Sequence, residues 1–441
     1  MVRLVGTLGR LRTSKVLVAG DLILDTYTVG KVNRISPEAP VAVVRVHHEE
    51  HRPGGSGNVG LNLRSLATEV IALGRVGNDG PGKLLKNALE NEGIDVSGIF
   101  VQQDVPTPVK NRIIAENQQI VRVDREQTTP LSERLEQDII ASLPMLLEEV
   151  DLVAISDYGK GFFTPTLLAA LIEHARERGI PVLADPKGMD FARYRGATVV
   201  KPNLSEAIAA AGLPPGSSLD AIAAKILAIT EAETIMITRS QDGISTFDKN
   251  GMREDFPVRV REVRDVTGAG DTVLATLACA LASGLSIAEA TQLANVAAGI
   301  AIERFGCARI SLSDIARRVL EADVANKVFD EEHLFALQQA LEGRKVAVLG
   351  LDSADGLTPR TFAFMRQMSQ REEWTLLVYF RDANPDVHLV EMLVSLREVD
   401  FIILKSESLR HLCACIEPDE VFVAEGADIR PLQHSGELVT V

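Results

Sequence analysis

Short apolar runs alternate with longer amphipathic or alanine- and leucine-rich stretches along most of the chain. The runs have the length and β-branched content of buried strands, and helical patterns follow them. They lie at Val16–Ala19, Val70–Leu73, Leu152–Ser156, Pro181–Ala184, Thr198–Val200 and Thr234–Thr238. This alternation predicts an α/β fold with a mainly parallel sheet and helices on both faces.

Two regions break this alternation, and a third marks a change of domain. In Val41–Glu50 and Pro108–Asp124, β-branched residues alternate with charged ones and no helix intervenes, which predicts a small β-lid. Ser311–Glu342 is helical in character and is followed by the strand-like runs Lys345–Gly350, Trp374–Phe380, Phe401–Leu404 and Glu420–Ala424. We therefore expect a first domain over residues 1–320, a helical linker over 321–343 and a smaller α/β domain over 344–441.

Composition and charge narrow the possible partners. A chain of 441 residues is too long for one ordinary core, and its net charge of −15 argues against nonspecific binding to nucleic acid or an anionic membrane. No long apolar run and no secretory leader is evident, which predicts a cytoplasmic protein. Its four cysteines lack metal-binding spacing, and we expect them to be reduced.

The segment Asp265–Thr272 carries the clearest chemistry. Gly268 and Gly270 permit a tight turn that would direct the amides of Gly268, Ala269 and Gly270 towards one anion at a helix start. Asp271 falls in the first helical turn, where a carboxylate is stabilised and can accept a proton from a hydroxyl. The pattern predicts phosphoryl transfer, although a helix cap after a glycine-rich turn would have the same sequence.

Further motifs occur in one order across the first domain, and together they resemble the PfkB or ribokinase family of sugar kinases. They are Lys15–Asp21, Gly54–Gly60, Asn62–Ala67, Leu73–Asp79 and Lys201–Glu206. The resemblance implies a ribokinase-like fold with the lid over the substrate, ATP and Mg²⁺ as cofactors, and a homodimer. It leaves open a monovalent cation such as K⁺.

More specific segments resemble the kinase half of the bifunctional heptose 7-phosphate kinases/heptose 1-phosphate adenylyltransferases. They are Arg34–Pro40, Arg52–Gly55, Asn117–Asp124, Ser156–Gly161 and Asp185–Gly188. The implied reaction is phosphorylation of the C1 hydroxyl of D-glycero-D-manno-heptose 7-phosphate, for ADP-heptose and lipopolysaccharide precursors, with a separate phosphatase and adenylyltransferase in the pathway. Two alternatives stay open: a PfkB kinase for another sugar or sugar phosphate, and a non-catalytic nucleotide-binding regulator or scaffold.

The resemblance also assigns roles on the substrate side. Asp21, Gly54, Gly55 and Asn58 would hold the sugar. A strand-end turn would also explain Asp21, and a tight turn would also explain the two glycines. A phosphorylated substrate needs cations, because arginine forks and lysine ammonium groups bind phosphate. We expect two or three of five lid residues to supply them, and Lys187 to make a further phosphate contact; the five are Arg34, Arg52, Lys110, Arg112 and Arg122.

On the nucleotide side, Asn203 and Glu206 lie three residues apart at a predicted helix start. In the family such a pair organises Mg²⁺ and its waters, which suits an ion that keeps several waters and takes few protein ligands. A plain helix cap is the alternative. The resemblance places Thr238, Gly243 and Asn295 near the ATP.

The second domain resembles a nucleotidyltransferase that has lost its signature. Relatives carry His-x-Gly-His after the first strand, whereas Gly356 and Pro359 fall near the two histidine positions here. Neither side chain can donate a hydrogen bond to the α-phosphate of ATP. We therefore predict a degenerate domain that has lost adenylyltransferase activity and is retained for dimerisation, stability or regulation; survival of an unrecognised chemistry is the alternative.

Overall fold

The structure, a computed structural model, describes residues 4–116, 118–258, 263–304, 306–322, 327–329, 333–382, 384–404, 408–426 and 428–432. Asn117, which begins one of the heptose-kinase-like motifs, lies outside them. The chain divides into a larger unit, Arg12–Ser311, and a smaller unit formed by Met1–Leu11 with Leu312–Val441. The first described helix, α1 (Leu4–Leu8), belongs to the smaller unit.

The larger unit contains two sheets. Its strands are β1 (Lys15–Gly20), β2 (Leu22–Ile35), β3 (Ala42–Gly55), β4 (Glu69–Gly77), β5 (Asp95–Gln102), β6 (Val109–Ala115), β7 (Gln118–Arg125), β8 (Leu152–Ser156), β9 (Val182–Asp185), β10 (Val199–Val200), β11 (Thr234–Thr238), β12 (Ile244–Asp248) and β13 (Arg253–Phe256). The main sheet has the order β13-β12-β11-β10-β9-β8-β1-β4-β5. All strands from β11 to β5 run parallel, whereas β12 and β13 are antiparallel.

Helices cover both faces of this sheet. They are α2 (Ser56–Ser65), α3 (Gly80–Asn91), α4 (Glu133–Leu146), α5 (Pro165–Glu177), α6 (Leu204–Ala211), α7 (Leu219–Thr230), α8 (Ala269–Ala282) and α9 (Ile287–Ile302). Leu17 and Ala19 of β1 face a core shared with α4, α5 and α7, while α2 and α8 pack against β1 from the opposite face. Alternate residues of a strand point to opposite faces, so Val16–Ala19 of β1 are all apolar. The predicted mainly parallel sheet with helices on both faces is confirmed.

The second sheet of the larger unit is a four-stranded lid with the order β3-β2-β6-β7. The two predicted lid segments supply β3, β6 and β7. The sequence prediction missed β2, which follows β1 after the single residue Asp21 and forms the middle of the lid. One continuous stretch of chain therefore joins the main sheet to the lid.

The smaller unit is a separate α/β fold. After α10 (Leu312–Ala322) come β14 (Val328–Phe329), α11 (Leu334–Leu341), β15 (Lys345–Leu351), α12 (Pro359–Ser369), β16 (Trp374–Phe380), α13 (Val387–Ser395), β17 (Phe401–Ile403), α14 (Leu409–Ile416), β18 (Glu420–Glu425) and β19 (Asp428–Pro431). The sheet order is β14-β17-β16-β15-β18-β19, parallel except for β19. The segment predicted as a helical linker thus contains α11 and also β14, an edge strand of this sheet. No described helix combines the length and apolar content of a membrane span.

Candidate active site

Several predicted site residues, together with Tyr158, which the sequence prediction did not name as a site residue, lie at the carboxyl edge of the parallel strands. Asp21 follows β1, Tyr158 lies in the loop after β8, and Lys187 follows β9. Asn203 comes after β10, and Thr238 is the last residue of β11. Ligands of open α/β sheets bind at this edge because the strand ends and the loops that follow them meet there.

Asp271 lies in the first turn of α8 and is buried, with 7% of its surface exposed. Asn58 Nδ2 donates a hydrogen bond of 2.7 Å to Asp271 Oδ2. The Tyr158 hydroxyl donates one of 2.5 Å to Asp271 Oδ1. Side chains from α2 and from the loop after β8 therefore fix both oxygens of this carboxylate.

Burial raises the pKa of Asp271 to about 6, although the hydrogen bonds from Asn58 and Tyr158 oppose the rise. The negative charge of Asp185 also raises this pKa, and Lys201 lowers it. At neutral pH most of the carboxylate is ionised, and its pKa is close enough to the ambient pH for efficient proton acceptance. The helix dipole adds favourable potential, since Asp271 sits at the amino end of α8.

The glycine-rich turn before Asp271 is closely packed on one side. Gly268 caps α8 with φ 78°, and a Cβ there would lie 3.2 Å from Cys307 Sγ and 3.3 Å from Asn58 Nδ2. At Gly270 a Cβ would meet no heavy atom within 4 Å. The Ala269 N–H is one of the three amides predicted to converge on an anion. It donates to the Val266 carbonyl oxygen within the turn, at 3.3 Å.

A cavity of about 590 Å³ is lined in part by Asn58, the residue that donates to Asp271; Asp271 itself does not line it. The cavity lining includes Asp25, Tyr27, His51, Arg52, Asn58 and Cys307. Asn58 lines the cavity and bonds to Asp271, so the carboxylate is one hydrogen bond away from the cavity wall. The volume and the mixture of polar groups suit a small hydrophilic ligand.

Asp25 is a site residue that the sequence prediction missed. Its Oδ1 accepts a 2.6 Å hydrogen bond from Arg112 Nη1, in an ion pair whose side chains are 9% and 15% exposed. A Cβ at Gly54 would lie 2.2 Å from Asp25 Oδ2, so the carboxylate requires a glycine at that position. An aspartate inside the apolar strand β2 was the available sequence signal, because unpaired carboxylates are rarely buried.

Asp21, predicted to hold sugar hydroxyls, contacts backbone. Its carboxylate accepts hydrogen bonds from the N–H groups of Tyr158 at 2.9 Å, Lys160 at 3.0 Å and Phe162 at 3.2 Å. Burial raises the pKa of Asp21, and these bonds oppose the rise. The observed contacts make Asp21 the anchor of the loop that carries Tyr158.

Three of the five predicted lid cations lie around two tyrosine rings. Arg52 and Arg112 stand over the ring of Tyr27, 5.5 and 5.3 Å from its centroid. Lys110 Nζ lies 5.6 Å from the centroid of Tyr158. Cations bind the faces of aromatic rings, and of these residues Tyr27 and Arg52 line the cavity.

The other two predicted cations make no cation–π contact with Tyr27 or Tyr158, although Arg122 lies opposite Arg112 in the register of β6 and β7. Arg122 of β7 pairs with Asp124 at 2.9 Å, with half of its side chain exposed. Arg34, near the end of β2, is exposed and pairs in register with Val43. The structure does not bring Arg34 or Arg122 to Tyr27 or Tyr158.

Asn203 and Glu206 meet at the start of α6. The Asn203 side chain accepts from the Glu206 N–H at 2.9 Å, and Glu206 Oε2 accepts from the Asn203 N–H at 3.1 Å. Glu206 Oε1 also accepts from Lys187 Nζ at 2.7 Å. This reciprocal capping box fixes the pair and the lysine at one strand end.

The sequence prediction also missed a second ion pair between a lysine and a carboxylate. Lys201 Nζ lies 3.0 Å from Asp185 Oδ2, and the Lys201 side chain is 3% exposed. Burial raises the pKa of Asp185, and Lys201 opposes that rise. Asp185 and Lys201 each belong to a motif noted in the sequence. Their pairing was missed because Asp185 ends β9 and Lys201 follows β10.

The remaining predicted nucleotide-side residues have clear packing roles. Thr238 forms a parallel bridge with Asn203, which makes them neighbours. Gly243 has φ 81°, and a Cβ there would lie 2.0 Å from the Phe256 carbonyl oxygen. Asn295 Nδ2 donates to the same carbonyl at 2.7 Å and ties α9 to β13.

A family model described as pfkB family carbohydrate kinase matches residues 13–314. The chain belongs to the PfkB family of carbohydrate kinases. The matched region nearly coincides with the larger unit, and the predicted resemblance is confirmed. PfkB membership makes the larger unit a sugar kinase domain.

Curated relatives match most of this PfkB chain. The bifunctional protein HldE of Trichlorobacter lovleyi is 46% identical over 344 residues, which cover 76% of this chain and 70% of that protein. The bifunctional protein HldE of Geobacter metallireducens is 47% identical over 306 residues, which cover 69% of this chain and 62% of that protein. The second match therefore spans less than two thirds of the relative's length.

Solved structures share the fold of the PfkB region. Arabidopsis thaliana ribokinase complexed with ribose and ATP has a TM-score of 0.54 and 18% identity, covering 70% of this chain and 99% of that one. Escherichia coli phosphofructokinase-2 in complex with potassium has a TM-score of 0.57 and 19% identity, with the same coverage. These likenesses confirm the predicted ribokinase-like architecture.

Proposed function

We propose that this chain is an ATP- and Mg²⁺-dependent kinase that phosphorylates the C1 hydroxyl of D-glycero-D-manno-heptose 7-phosphate. The observation that carries the proposal is the buried Asp271, held at the start of α8 by Tyr158 and by Asn58, which also lines a cavity of about 590 Å³. The two relatives named as bifunctional protein HldE, at 46% and 47% identity, support this substrate among PfkB kinases.

Asp271 would accept the proton of the C1 hydroxyl as that oxygen attacks the γ-phosphate. Phosphoryl transfer depends mainly on positioning and charge neutralisation, so a fixed base and anion-binding amides are suitable groups. Gly268 and Gly270 would let the phosphate approach the start of α8, where the dipole favours an anion. These roles fit the observed turn, in which Gly270 leaves open space.

Lys110 is our first candidate for the cation that binds the 7-phosphate. Among the described residues, no carboxylate lies within ion-pair distance of Lys110 Nζ, whereas Arg52 pairs with Glu50 and Arg112 with Asp25. A phosphate would have to compete with a carboxylate for either arginine. Of the three cations, Lys110 is therefore the one whose charge no described carboxylate neutralises in an ion pair.

Asn203 and Glu206 would hold Mg²⁺, partly through water, beside the nucleotide phosphates. Carboxylate and amide oxygens suit this ion, which supplies charge neutralisation during phosphoryl transfer. Glu206 currently faces Lys187 at 2.7 Å, and that lysine is suited to contact a phosphate of the bound nucleotide or sugar. K⁺ is a further candidate cofactor because a potassium complex is known for the phosphofructokinase-2 of the same fold.

The smaller unit would lack adenylyltransferase activity. Gly356 has no side chain, and the ring of Pro359, in the first turn of α12, carries no N–H or O–H, so neither position offers a side-chain donor. The cap of α12 is made by Thr358, whose hydroxyl accepts from the Thr361 N–H at 3.1 Å. We propose that this unit serves assembly, stability or regulation, and that a separate phosphatase and adenylyltransferase process the bisphosphate product.

A homodimer through the lid is the assembly that we propose. Edge strand β7 exposes three branched apolar side chains, Ile120, Val121 and Val123, each between 45% and 49% exposed. Open apolar edge strands favour pairing with another chain. Val121→Lys should convert the dimer to a monomer in light scattering, whereas Val101→Lys, at an equally exposed valine of β5, should not. A monomeric parent protein would refute this assembly.

The test of the activity is ADP release with Mg-ATP and a panel of heptose 7-phosphate, fructose 1-phosphate, fructose 6-phosphate, ribose and adenosine. Selective turnover of heptose 7-phosphate, abolished by Asp271→Asn, is the expected result. Preference for another acceptor would refute the substrate and retain the kinase. Absence of turnover with every acceptor would favour a nucleotide-binding regulator or scaffold.

A further inference from the structure

Tyr158 contacts the proposed catalytic carboxylate from a fixed loop. Its backbone N–H donates to Asp21 Oδ2 at 2.9 Å, and its hydroxyl donates to Asp271 Oδ1 at 2.5 Å. Burial, with the adjacent charge of Asp271, raises the pKa of Tyr158 well above its ordinary value. The phenol therefore stays protonated and acts only as a donor to Asp271.

The ring of Tyr158 is held by the lid. Lys110 Nζ of β6 lies 5.6 Å from the ring centroid, a cation–π contact. The backbone anchor and the ring contact together limit rotation of the side chain. The hydroxyl consequently reaches Asp271 from one direction.

We propose that Tyr158 is a positioning residue for phosphoryl transfer, whose hydroxyl orients the Asp271 carboxylate and holds it in the ionised form. The inference rests on the proposed function. In that step the substrate O–H bond breaks and its proton passes to Asp271. The oxygen's electron pair forms the bond to the γ-phosphorus, and the bond from that phosphorus to the β–γ bridging oxygen breaks to release ADP. Tyr158 keeps its own proton throughout.

Other groups near Asp271 also change the pKa of its carboxylate. Asp185, at the end of β9, disfavours the ionised carboxylate, whereas Lys201 and Asn58 favour it. The Cys307 thiol is close enough for the Asp271 charge to raise its pKa. None of these groups changes when the Tyr158 hydroxyl alone is removed, so the effect of Tyr158→Phe can be read separately.

Tyr194 provides a matched control. Its hydroxyl is also buried and also donates to a carboxylate, Asp157 Oδ2, at 2.6 Å. That carboxylate is not the proposed base. Tyr194→Phe therefore removes a comparable hydrogen bond to a carboxylate from the same region without touching Asp271, and it also removes the 3.0 Å bond that the Lys187 N–H donates to the Tyr194 hydroxyl.

The experiment is the pH profile of kcat/KM between about pH 5 and pH 9. Loss of a hydrogen bond to an ionised group should move the acidic limb of Tyr158→Phe upward by about one pH unit. Tyr194→Phe should leave the limb in place. A Tyr158→Phe limb that does not move, or an equal shift in Tyr194→Phe, would overturn the proposal.

A second variant covers the case in which Tyr158→Phe does not fold. 3-Fluorotyrosine at position 158 keeps the shape and donates more strongly, so the limb should move to lower pH; an unmoved or raised limb contradicts the proposal.

Asp271→Asn separates this inference from the function on which it rests. If Asp271→Asn keeps full turnover, the base assignment falls and the role of Tyr158 with it. If Asp271→Asn is inactive and the limb of the Tyr158 variants is unmoved, only the role of Tyr158 is wrong.

Discussion

Asn58 and Asp271 are 213 residues apart in the chain, yet Asn58 Nδ2 lies 2.7 Å from Asp271 Oδ2. The contact forms because α2 and α8 pack side by side on one face of the main sheet. It joins the Gly54–Gly60 motif, proposed to hold the sugar, to the start of α8, proposed to hold the phosphate. The acceptor hydroxyl and the transferring group would thus meet at one carboxylate.

The rate should depend on the ionisation of Asp271. Burial raises its pKa to about 6, and only the ionised form can accept a proton, so activity is present above this pH and lost below it. At pH 5 we expect kcat/KM to fall roughly tenfold from its plateau. Steady-state kinetics across this range, with ATP affinity measured in parallel, provide the check. A flat profile between pH 5 and pH 7 would contradict the assignment of Asp271.

Alanine at the two glycines before Asp271 should have opposite effects on stability. Gly268→Ala introduces a side chain at φ 78° and close to Cys307 Sγ, so we expect a loss of about 1–2 kcal/mol. Gly270→Ala meets no neighbour and removes a helical glycine, so we expect a gain of up to about 1 kcal/mol. Thermal unfolding measures both.

Kinase activity of the Gly270→Ala variant then distinguishes a packing role of Gly270 from a role in phosphate binding. If Gly270 admits the transferring phosphoryl group, Gly270→Ala should lower kcat although the protein is at least as stable as the parent. Full activity in Gly270→Ala would show that no phosphate approaches this position.

Asp21 and Asp25 should differ in their effect on sugar binding. Asp25 lines the cavity and pairs with Arg112, so Asp25→Asn should raise the sugar KM and destabilise the fold by about 3–5 kcal/mol. Asp21→Asn should cost about 2–3 kcal/mol, because three backbone N–H groups lose a charged acceptor. The sugar KM of Asp21→Asn should change much less than that of Asp25→Asn. Denaturant unfolding and sugar KM distinguish them; a larger KM increase for Asp21→Asn would support the sugar-binding role that the sequence predicts for Asp21.

Arg122→Ala is the control for that comparison. The side chain is half exposed and pairs with Asp124, so its loss should cost at most about 1 kcal/mol and leave the sugar KM unchanged. An increase in sugar KM would place Arg122 at the substrate phosphate instead of Lys110.

Several parts of this structure could be predicted from the sequence because their causes are local. Parallel strands buried on both faces are apolar throughout, as in Val16–Ala19, and therefore stand out. A glycine-rich turn followed by an apolar helix placed Asp271 in the first turn of α8 without any tertiary information. The capping box of Asn203 and Glu206 follows likewise from their spacing.

Other parts depend on partners that are distant in sequence. Asp25 becomes a site residue only because Arg112 comes from another lid strand and Gly54 approaches its carboxylate. Tyr158 reaches Asp271 only once α8 has packed against the sheet that contains β8. Strand β2 was missed because Asp21 interrupts the apolar run, whereas in the fold its carboxylate anchors the loop after β8.

The smaller unit should release no pyrophosphate from ATP and heptose 1-phosphate. Gly356 and Pro359 supply no side-chain donor for an α-phosphate, and nucleotidyl transfer needs such stabilisation. A pyrophosphate assay on a preparation with intact kinase activity is the measurement. Pyrophosphate release above the enzyme-free background would show that a different chemistry survives there.

Transfer of the γ-phosphoryl group to the C1 oxygen with Asp271 as base can be tested by ³¹P nuclear magnetic resonance of the product formed from Mg-ATP and heptose 7-phosphate. We expect one new sugar phosphate signal coupled to the proton on C1, with the C7 phosphate retained, and no such signal with Asp271→Asn. A phosphate on any other carbon, or the same product from Asp271→Asn, would contradict this mechanism.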